Sequence, residues 1–334
     1  MEAPVMKLDA SETRKSATRA APVLVREGAE EVSPWGVTFK TLFHMSNDSH
    51  LFHTREELEA SGHTLGEDGR FRGPDGVWER LYEAKMIHQF DHRFATYEQD
   101  GRNEEKARDT IIEEHEDEDF VVLPRYWVPE QAVKLAAGQA NGQARKWFPG
   151  FRDIARSTDE CTAIFSFVPW AGIGNKVPLL LFDAPARLHA ALLGNLDAFV
   201  FDFAVRQKVG GASLNFFLVK QFPVLPPETY TPPLLDLIVP RVLELVYTAW
   251  DLAPFARDLG YDGDPFPWDE ARRVQLRADL DGIYAHLYGL DRHDFTYILE
   301  QFPIVNLKNE ATFGEYRTAR LWLEAYDRSK GLKL

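Results

Sequence analysis

The chain has 334 residues, 45% of them hydrophobic, 27% charged and 13% aromatic, with a formal net charge of −14 at pH 7. That length and aromatic content are enough for a sizeable packed core and argue against a disordered chain. The lone cysteine, Cys161, excludes an internal disulfide and a cysteine-based zinc site, and the acidity counts against nucleic-acid binding by net charge alone. No signal peptide or membrane span is legible in the sequence, so a cytoplasmic protein is expected.

Residues 1–32, rich in Ala, Ser, Thr, Lys, Arg and Glu without a sustained period, read as a flexible lead-in. Structure is expected from Ser33-Pro34-Trp35-Gly36. Residues 54–60 read as a short helix, with Thr54 as cap and Glu57 completing a capping box. Residues 62–76 are rich in Gly and Asp and read as turns. Residues 98–119 are dense in charge and read as an acidic, mobile loop, because such a composition buries little apolar surface.

Residues 120–129 read as a buried strand with an aromatic exit. Further strands are expected at 161–168 and 177–182, with a turn at 172–175 between them. Residues 187–206 predict one helix, with Leu188, Leu192, Leu196, Phe199 and Phe203 on its inward face. It delivers Arg206 and Lys208 to a turn at Gly210-Gly211, where glycine tolerates backbone angles and close approaches that other residues resist. Residues 214–219 then read as a short buried strand, and Pro223, Pro226 and Pro227 send the chain out extended. After it come helices: one with Pro240 in its first turn, one capped by Asp269 and stopped by Gly289, one capped by Asp291 and ended by Pro303, and a last one carrying Tyr316, Ala319, Leu323 and Tyr326.

Two groups of residues suit nucleic acid. In the first, Arg206, Lys208 and Lys220 suit phosphates or guanine edges, Gly210 and Gly211 admit a close backbone approach, and Asn215 suits a bidentate pair with adenine. A charged surface turn with an internally satisfied asparagine is the other reading. In the second, Arg145, Lys146, Trp147, Arg152 and Arg156 suit a groove with Trp147 stacking, or else a solvated loop anchored by an aromatic. His44, His50 and His53, and His88 and His92 with Asp91, lack the further ligands of a zinc site, and no metal is assigned to them. Gly172-x-Gly174 lacks the surroundings of a dinucleotide site, so no cofactor is assigned to this chain.

The run Arg-Gln-Lys-Val-Gly-Gly-Ala-Ser-Leu-Asn-Phe-Phe-Leu-Val-Lys-Gln-Phe-Pro-Val-Leu-Pro-Pro at 206–227 resembles the end of the target-recognition domain of large N6-adenine DNA methyltransferases. These are the single-chain type II restriction-modification enzymes and the related methyltransferases of BREX- and DISARM-type phage defence. Met-Ser-Asn-Asp-Ser-His-Leu-Phe at 45–52 and Tyr-Glu-Ala-Lys-Met-Ile-His-Gln-Phe-Asp at 82–91 are similar to runs of that family, Ala84 replacing its usual glycine. So are the stretches at 277–290, 297–305 and 314–320. The resemblance spans residues 33–334 and implies an α+β fold. Residues 33–80 would follow the catalytic domain, 81–227 would form a mixed-sheet target-recognition domain, and 228–334 a helical C-terminal subdomain. It implies double-stranded DNA as partner, together with a catalytic methyltransferase domain or subunit. S-adenosylmethionine is implied for the complete enzyme, which acts on a flipped adenine. Ser33-Pro34-Trp35 is not that family's Asn/Asp-Pro-Pro-Tyr/Phe motif: the second proline is missing and serine replaces the amide or carboxylate. The chain by itself is therefore expected to be inactive. The alternative is a protein-interaction module of a defence complex.

Overall fold

The computed structural model describes residues 21–28, 32–97, 106–138 and 145–332. Helices and largely antiparallel sheets share the chain, so the fold is α+β as the sequence predicts. One sheet runs in the order Thr38–Lys40, Leu179–Leu181, Trp147–Phe151, Phe165–Pro169, antiparallel throughout. Strand periodicity decides what it does. Trp147, Phe151, Phe165, Phe167 and Leu180 enter one hydrophobic core, while Phe148, Val168, Leu179 and Leu181 enter another. Successive side chains point to opposite faces, so this short sheet is the partition between two cores.

The second core is closed by a mixed sheet. Gly76–Tyr82 pairs antiparallel with Phe71–Gly73 and with Trp127–Pro129, and parallel with Gly172–Ile173. Residues 62–76, expected as turns, also hold the short strands Thr64–Leu65 and Phe71–Gly73, because Phe71 packs fully buried against Trp127. The strand expected over 120–129 narrows to Trp127–Pro129.

The first core is closed by helices. Ala186–Leu196 packs on Pro232–Val246, and Glu270–Leu287 packs closely on Arg317–Ser329. Gly282 makes the second contact possible: a Cβ there would stand 2.9 Å from Ala325 C and Tyr326 N. Residues from both sides of position 227 fall in this one core. Pro240 lies inside Pro232–Val246, not in its first turn, which Pro232 and Pro233 occupy after the Thr231 cap. Pro303 opens the helix Pro303–Phe313.

The helix expected over 187–206 is two helices, Ala186–Leu196 and Phe199–Arg206, bent by 57°. The break has distant causes. Asp197 Oδ1 accepts from Phe165 N at 2.9 Å, which ties the break to a strand, and Asp281 Oδ1 accepts from Phe199 N at 2.6 Å, so a side chain remote in sequence satisfies an amide that a continuous helix would have bonded internally. The predicted inward stripe still packs in or against the core.

Two expectations of mobility are narrowed; of the lead-in over 1–32, residues 1–20 and 29–31 lie outside the described residues. Residues 21–25 are anchored, with Ala21, Leu24 and Val25 buried. Leu24 N donates to Phe222 O, Val25 N to Lys220 O, and Val224 N to Pro22 O, each at 2.9 Å, so the segment supplies backbone partners to the proline-rich exit. In the acidic stretch, residues 98–105 lie outside the described residues, but Ala107–Asp109 pairs with Ala95–Tyr97 and Ile112–Glu116 is helical. The guanidinium of Arg93, fully buried, bonds the carbonyls of Glu114, His115, Asp117 and Phe120.

Candidate nucleic-acid interface

The turn at 207–213 is built by what holds its ends. Asp281 starts the helix Phe199–Arg206, and buried Val209 anchors the chain just after it. Gly210, Gly211 and Ala212 are exposed beyond that anchor. The returning limb pairs with the loop after Trp147–Phe151: Ile154 bridges Ser213, Ala155 N donates to Ala212 O at 3.3 Å, and Leu214 N donates to Asp153 O at 2.6 Å. Ser213 Oγ donates to Asp153, whose other oxygen holds Lys176 Nζ at 2.5 Å. Neither glycine has a positive φ, and a Cβ at either would meet nothing within 4 Å. The folded chain by itself does not require glycine at these positions, and both stay exposed.

The strand expected over 214–219 is a helix, Phe216–Lys220. Asn215 is its N-cap, Oδ1 accepting from Leu218 N at 3.0 Å. A bidentate pair with adenine needs both Oδ1 and Nδ2. The cap engages the first, and giving it up costs about 1 kcal/mol. Phe216 stacks on Phe39 at 5.1 Å, while the next ring, Phe217, is 60% exposed. Ile154, across the paired limb, is 52% exposed.

Arg206 is not a surface cation. Its side chain is 7% exposed and donates to Asp202 and to the carbonyls of Ser157, Asp159 and Glu160. Lys208 Nζ donates to Gln221 O at 2.7 Å, and Lys220 Nζ meets Glu27 at 2.8 Å. Arg152 donates to Ile87 O at 2.7 Å and reaches Lys85 O at 3.4 Å, beside the Phe94 ring. Arg156 is exposed on the same loop.

The second predicted group is divided by the strand Trp147–Phe151. Arg152 and Arg156 follow its end, beside the turn, whereas Arg145 and Lys146 precede its start. Trp147 cannot stack on a base: it is fully buried, with Nε1 donating to Asp258 at 2.7 Å and edges on Phe167, His189 and Phe255. Arg145 is held by His189 Nε2 at 2.7 Å and by Phe182 O and Ala184 O. Burial, reinforced by the Arg145 charge, pushes His189 down to about 3, so the ring is neutral and can accept that bond.

Sequence reasoning passed over Lys176, Ile154 and Phe217: Ile154 lies on the loop paired with the turn, Lys176 is held at that loop's Asp153, and Phe217 lies on the helix that follows. One signal for Phe217 was available. Asn is a favoured N-cap residue, and a helix starting at Phe216 turns the two rings to different sides, Phe216 inward and Phe217 outward. Asp291, His293 and Asp294 hold ligand atoms within 4.8 Å of one another, but Asp291 is already the cap of its helix, bonding Asp294 N. Among the described residues no single helix is long and apolar enough to cross a membrane. Compared with protein-family models, curated proteins and solved structures, the chain matches none.

Proposed function

We propose that this chain supplies DNA recognition to an adenine-N6-specific DNA methyltransferase of a restriction-modification or phage-defence system. It acts with a catalytic methyltransferase domain or subunit, to which S-adenosylmethionine belongs. The observation that carries the reading is the exposed Gly210-Gly211 turn, with Lys208 beside it, Arg156 on the loop that pairs with its returning limb, and Lys176 held at Asp153 of that loop, on a chain of net charge −14. A local basic surface offsets unfavourable net charge at the point of contact, and counterion release depends on the cations at that point. Lys208, Arg156 and Lys176 contact phosphates, the glycine turn lies against the sugar-phosphate backbone, and Phe217 and Ile154 supply apolar contact. The same two exposed apolar side chains favour a second reading, a surface that docks another protein of the defence complex.

The test uses the chain with its catalytic partner and measures DNA affinity by fluorescence anisotropy over a salt series. The double variant Lys208→Ala/Arg156→Ala is expected to weaken binding to all sequences and to reduce the salt slope by about 2. Asn215→Asp keeps a good cap but removes the Nδ2 donor and adds negative charge, so it should weaken DNA binding without loss of stability. If the double variant stays folded with affinity and salt slope unchanged, the turn is not at DNA and the protein-docking reading leads.

A further inference from the structure

Between the strands Gly76–Tyr82 and Ala95–Tyr97 the chain makes a strained turn at His88–Asp91, where Phe90 holds a φ of 58°. A bulky side chain adopts that conformation at a cost, and such strain persists only where the surroundings over-determine it. Here they do. The Phe90 ring lies in the first core, Gln89 Nε2 donates to Ala163 O at 2.7 Å, and Arg277 Nη2 donates to Gln89 Oε1 at 2.7 Å. The side chain that the turn presents is His88. Its ring is half-buried, 4.6 Å from the Phe94 ring. Neither ring nitrogen has a hydrogen bond among the described residues and, unlike His189 Nδ1, neither is fully buried.

The groups around this ring are cationic and short of counter-charge. The Arg152 guanidinium stands 5.2 Å from the same Phe94 ring. Its Nε donates to Ile87 O at 2.7 Å and Nη2 reaches Lys85 O at 3.4 Å, which leaves Nη1 its donors. Arg277 spends one donor on Gln89 and keeps the rest. Neither guanidinium forms a salt bridge with a carboxylate among the described residues. Asp197 and Asp281 feel the Arg277 charge, but burial raises both carboxyls, so they offset it weakly. The Cys161 thiol, 3.7 Å from Gln89 Oε1, is pushed up to about 12 by burial and stays neutral. Lys308 is held by Glu160, and Asp91 by His115 at 3.2 Å, while Asp109 and Asp159 act on Arg152 from the surface. Burial, with the charges of Arg152, Arg277 and Lys308, pushes His88 down to about 3 against the pull of Asp91. The ring is therefore neutral, with one nitrogen able to donate.

Free guanidinium donors beside a free imidazole donor suit an oxyanion whose oxygens point in several directions, and arginine's fork matches phosphate in particular. We propose that His88, Arg152 and Arg277 bind a phosphate group at the face of the His88–Asp91 turn. A phosphodiester of DNA and a free phosphomonoester present this same chemistry. The first source rests on the DNA reading above, because Arg152 begins the loop that pairs with the glycine turn through Ile154 and Ala155; the second does not.

The experiment follows the His88 ring resonances of the full chain by NMR while inorganic phosphate, thymidine 5′-monophosphate or a DNA duplex is added, with chloride at matched ionic strength as the control. Inorganic phosphate is expected to bind saturably, to move the ring resonances, and to raise the pH at which the ring titrates, since an anion beside it favours the imidazolium. Arg152→Met and His88→Phe should each weaken phosphate binding about tenfold. Arg277→Lys keeps the charge but loses the fork and should weaken it severalfold. If either of the first two variants fails to fold, Arg152→Lys and His88→Gln carry the test with severalfold losses. A duplex that displaces phosphate from His88 identifies the DNA backbone as the source. Binding of the mononucleotide there, with the duplex leaving the ring unmoved, identifies a free phosphomonoester. A ring that no probe moves beyond the chloride control, or a phosphate affinity unchanged in the variants, would overturn the proposal. Salt-dependent DNA binding that persists in that case, and that Lys208→Ala/Arg156→Ala weakens, leaves the DNA reading standing without it.

Discussion

Replacing Arg93 with methionine should remove the main fastening of the acidic stretch. Arg93 follows a tight turn in which His88 N donates to Asp91 O at 2.7 Å and Asp91 N returns to His88 O at 3.0 Å, with Phe90 at a φ of 58°. The guanidinium bonds Glu114 O at 3.3 Å, His115 O at 2.8 Å, Asp117 O at 2.7 Å and Phe120 O at 3.2 Å. It also bonds Thr248 O at 3.0 Å and Thr248 Oγ1 at 3.3 Å. The first group includes carbonyls at the end of Ile112–Glu116 that have no partner within that helix. One side chain therefore joins the acidic stretch to the helical region. Methionine keeps much of the apolar stem but leaves buried acceptors without donors. Each such loss costs about 1–3 kcal/mol before relaxation and water entry, so roughly 3–5 kcal/mol in total is expected. That is a large part of a typical domain's stability, which is about 5–15 kcal/mol. Arg93→Lys should recover only part of it, because a point charge cannot fork to carbonyls on several sides. Denaturant titration gives the energy, and amide hydrogen exchange gives its place: protection should fall first across residues 112–120 and around Thr248. A loss under about 1 kcal/mol for Arg93→Met, with exchange in 112–120 unchanged, would refute the reasoning and restore the reading of a mobile acidic loop.

Asp281 gives a pH signature. Burial pushes its carboxyl up to about 7 against the bonds from Phe199 N and Trp322 Nε1. Between its ordinary value of 3.8 and about 7 the folded chain holds a proton that the unfolded chain has lost, so this group makes stability fall as pH rises through that window. The slope is at most about 1.4 kcal/mol per pH unit. Asp281→Asn should flatten it, and equal slopes by denaturation from about pH 5 to pH 8 would sink the assignment. Gly282→Ala should destabilise by about 1–3 kcal/mol, because the new methyl meets the backbone of Ala325 and Tyr326 at 2.9 Å and backbone yields little; an unchanged midpoint would show that the two helices slide apart freely.

Local devices were legible in the sequence because their partners lie within a few residues. Thr54 and Glu57 form the predicted capping box, Asp269 and Asp291 cap the predicted helices, and Gly289 stops one at a φ of 68°. The alternation that puts Phe165 and Phe167 on one face of a strand and Val168 on the other is equally local. Where two local readings were nearly balanced, tertiary contacts chose. Leu-Asn-Phe-Phe-Leu-Val was read as a strand, but so short an apolar run suits either period, and the stacking of Phe216 on Phe39 together with the local Asn215 cap made it a helix. The bend between Leu196 and Phe199 depends on Asp281 and on Phe165, which no window around residue 197 contains. The availability of charge was the least legible property of all. Arg206, Arg145 and Arg156 read alike as surface cations, yet the first two are engaged by carbonyls or side chains brought from other segments, while Arg156 stays at the surface. Residue type determines that a guanidinium can donate several bonds; only the folded chain decides whether protein oxygens have already taken them.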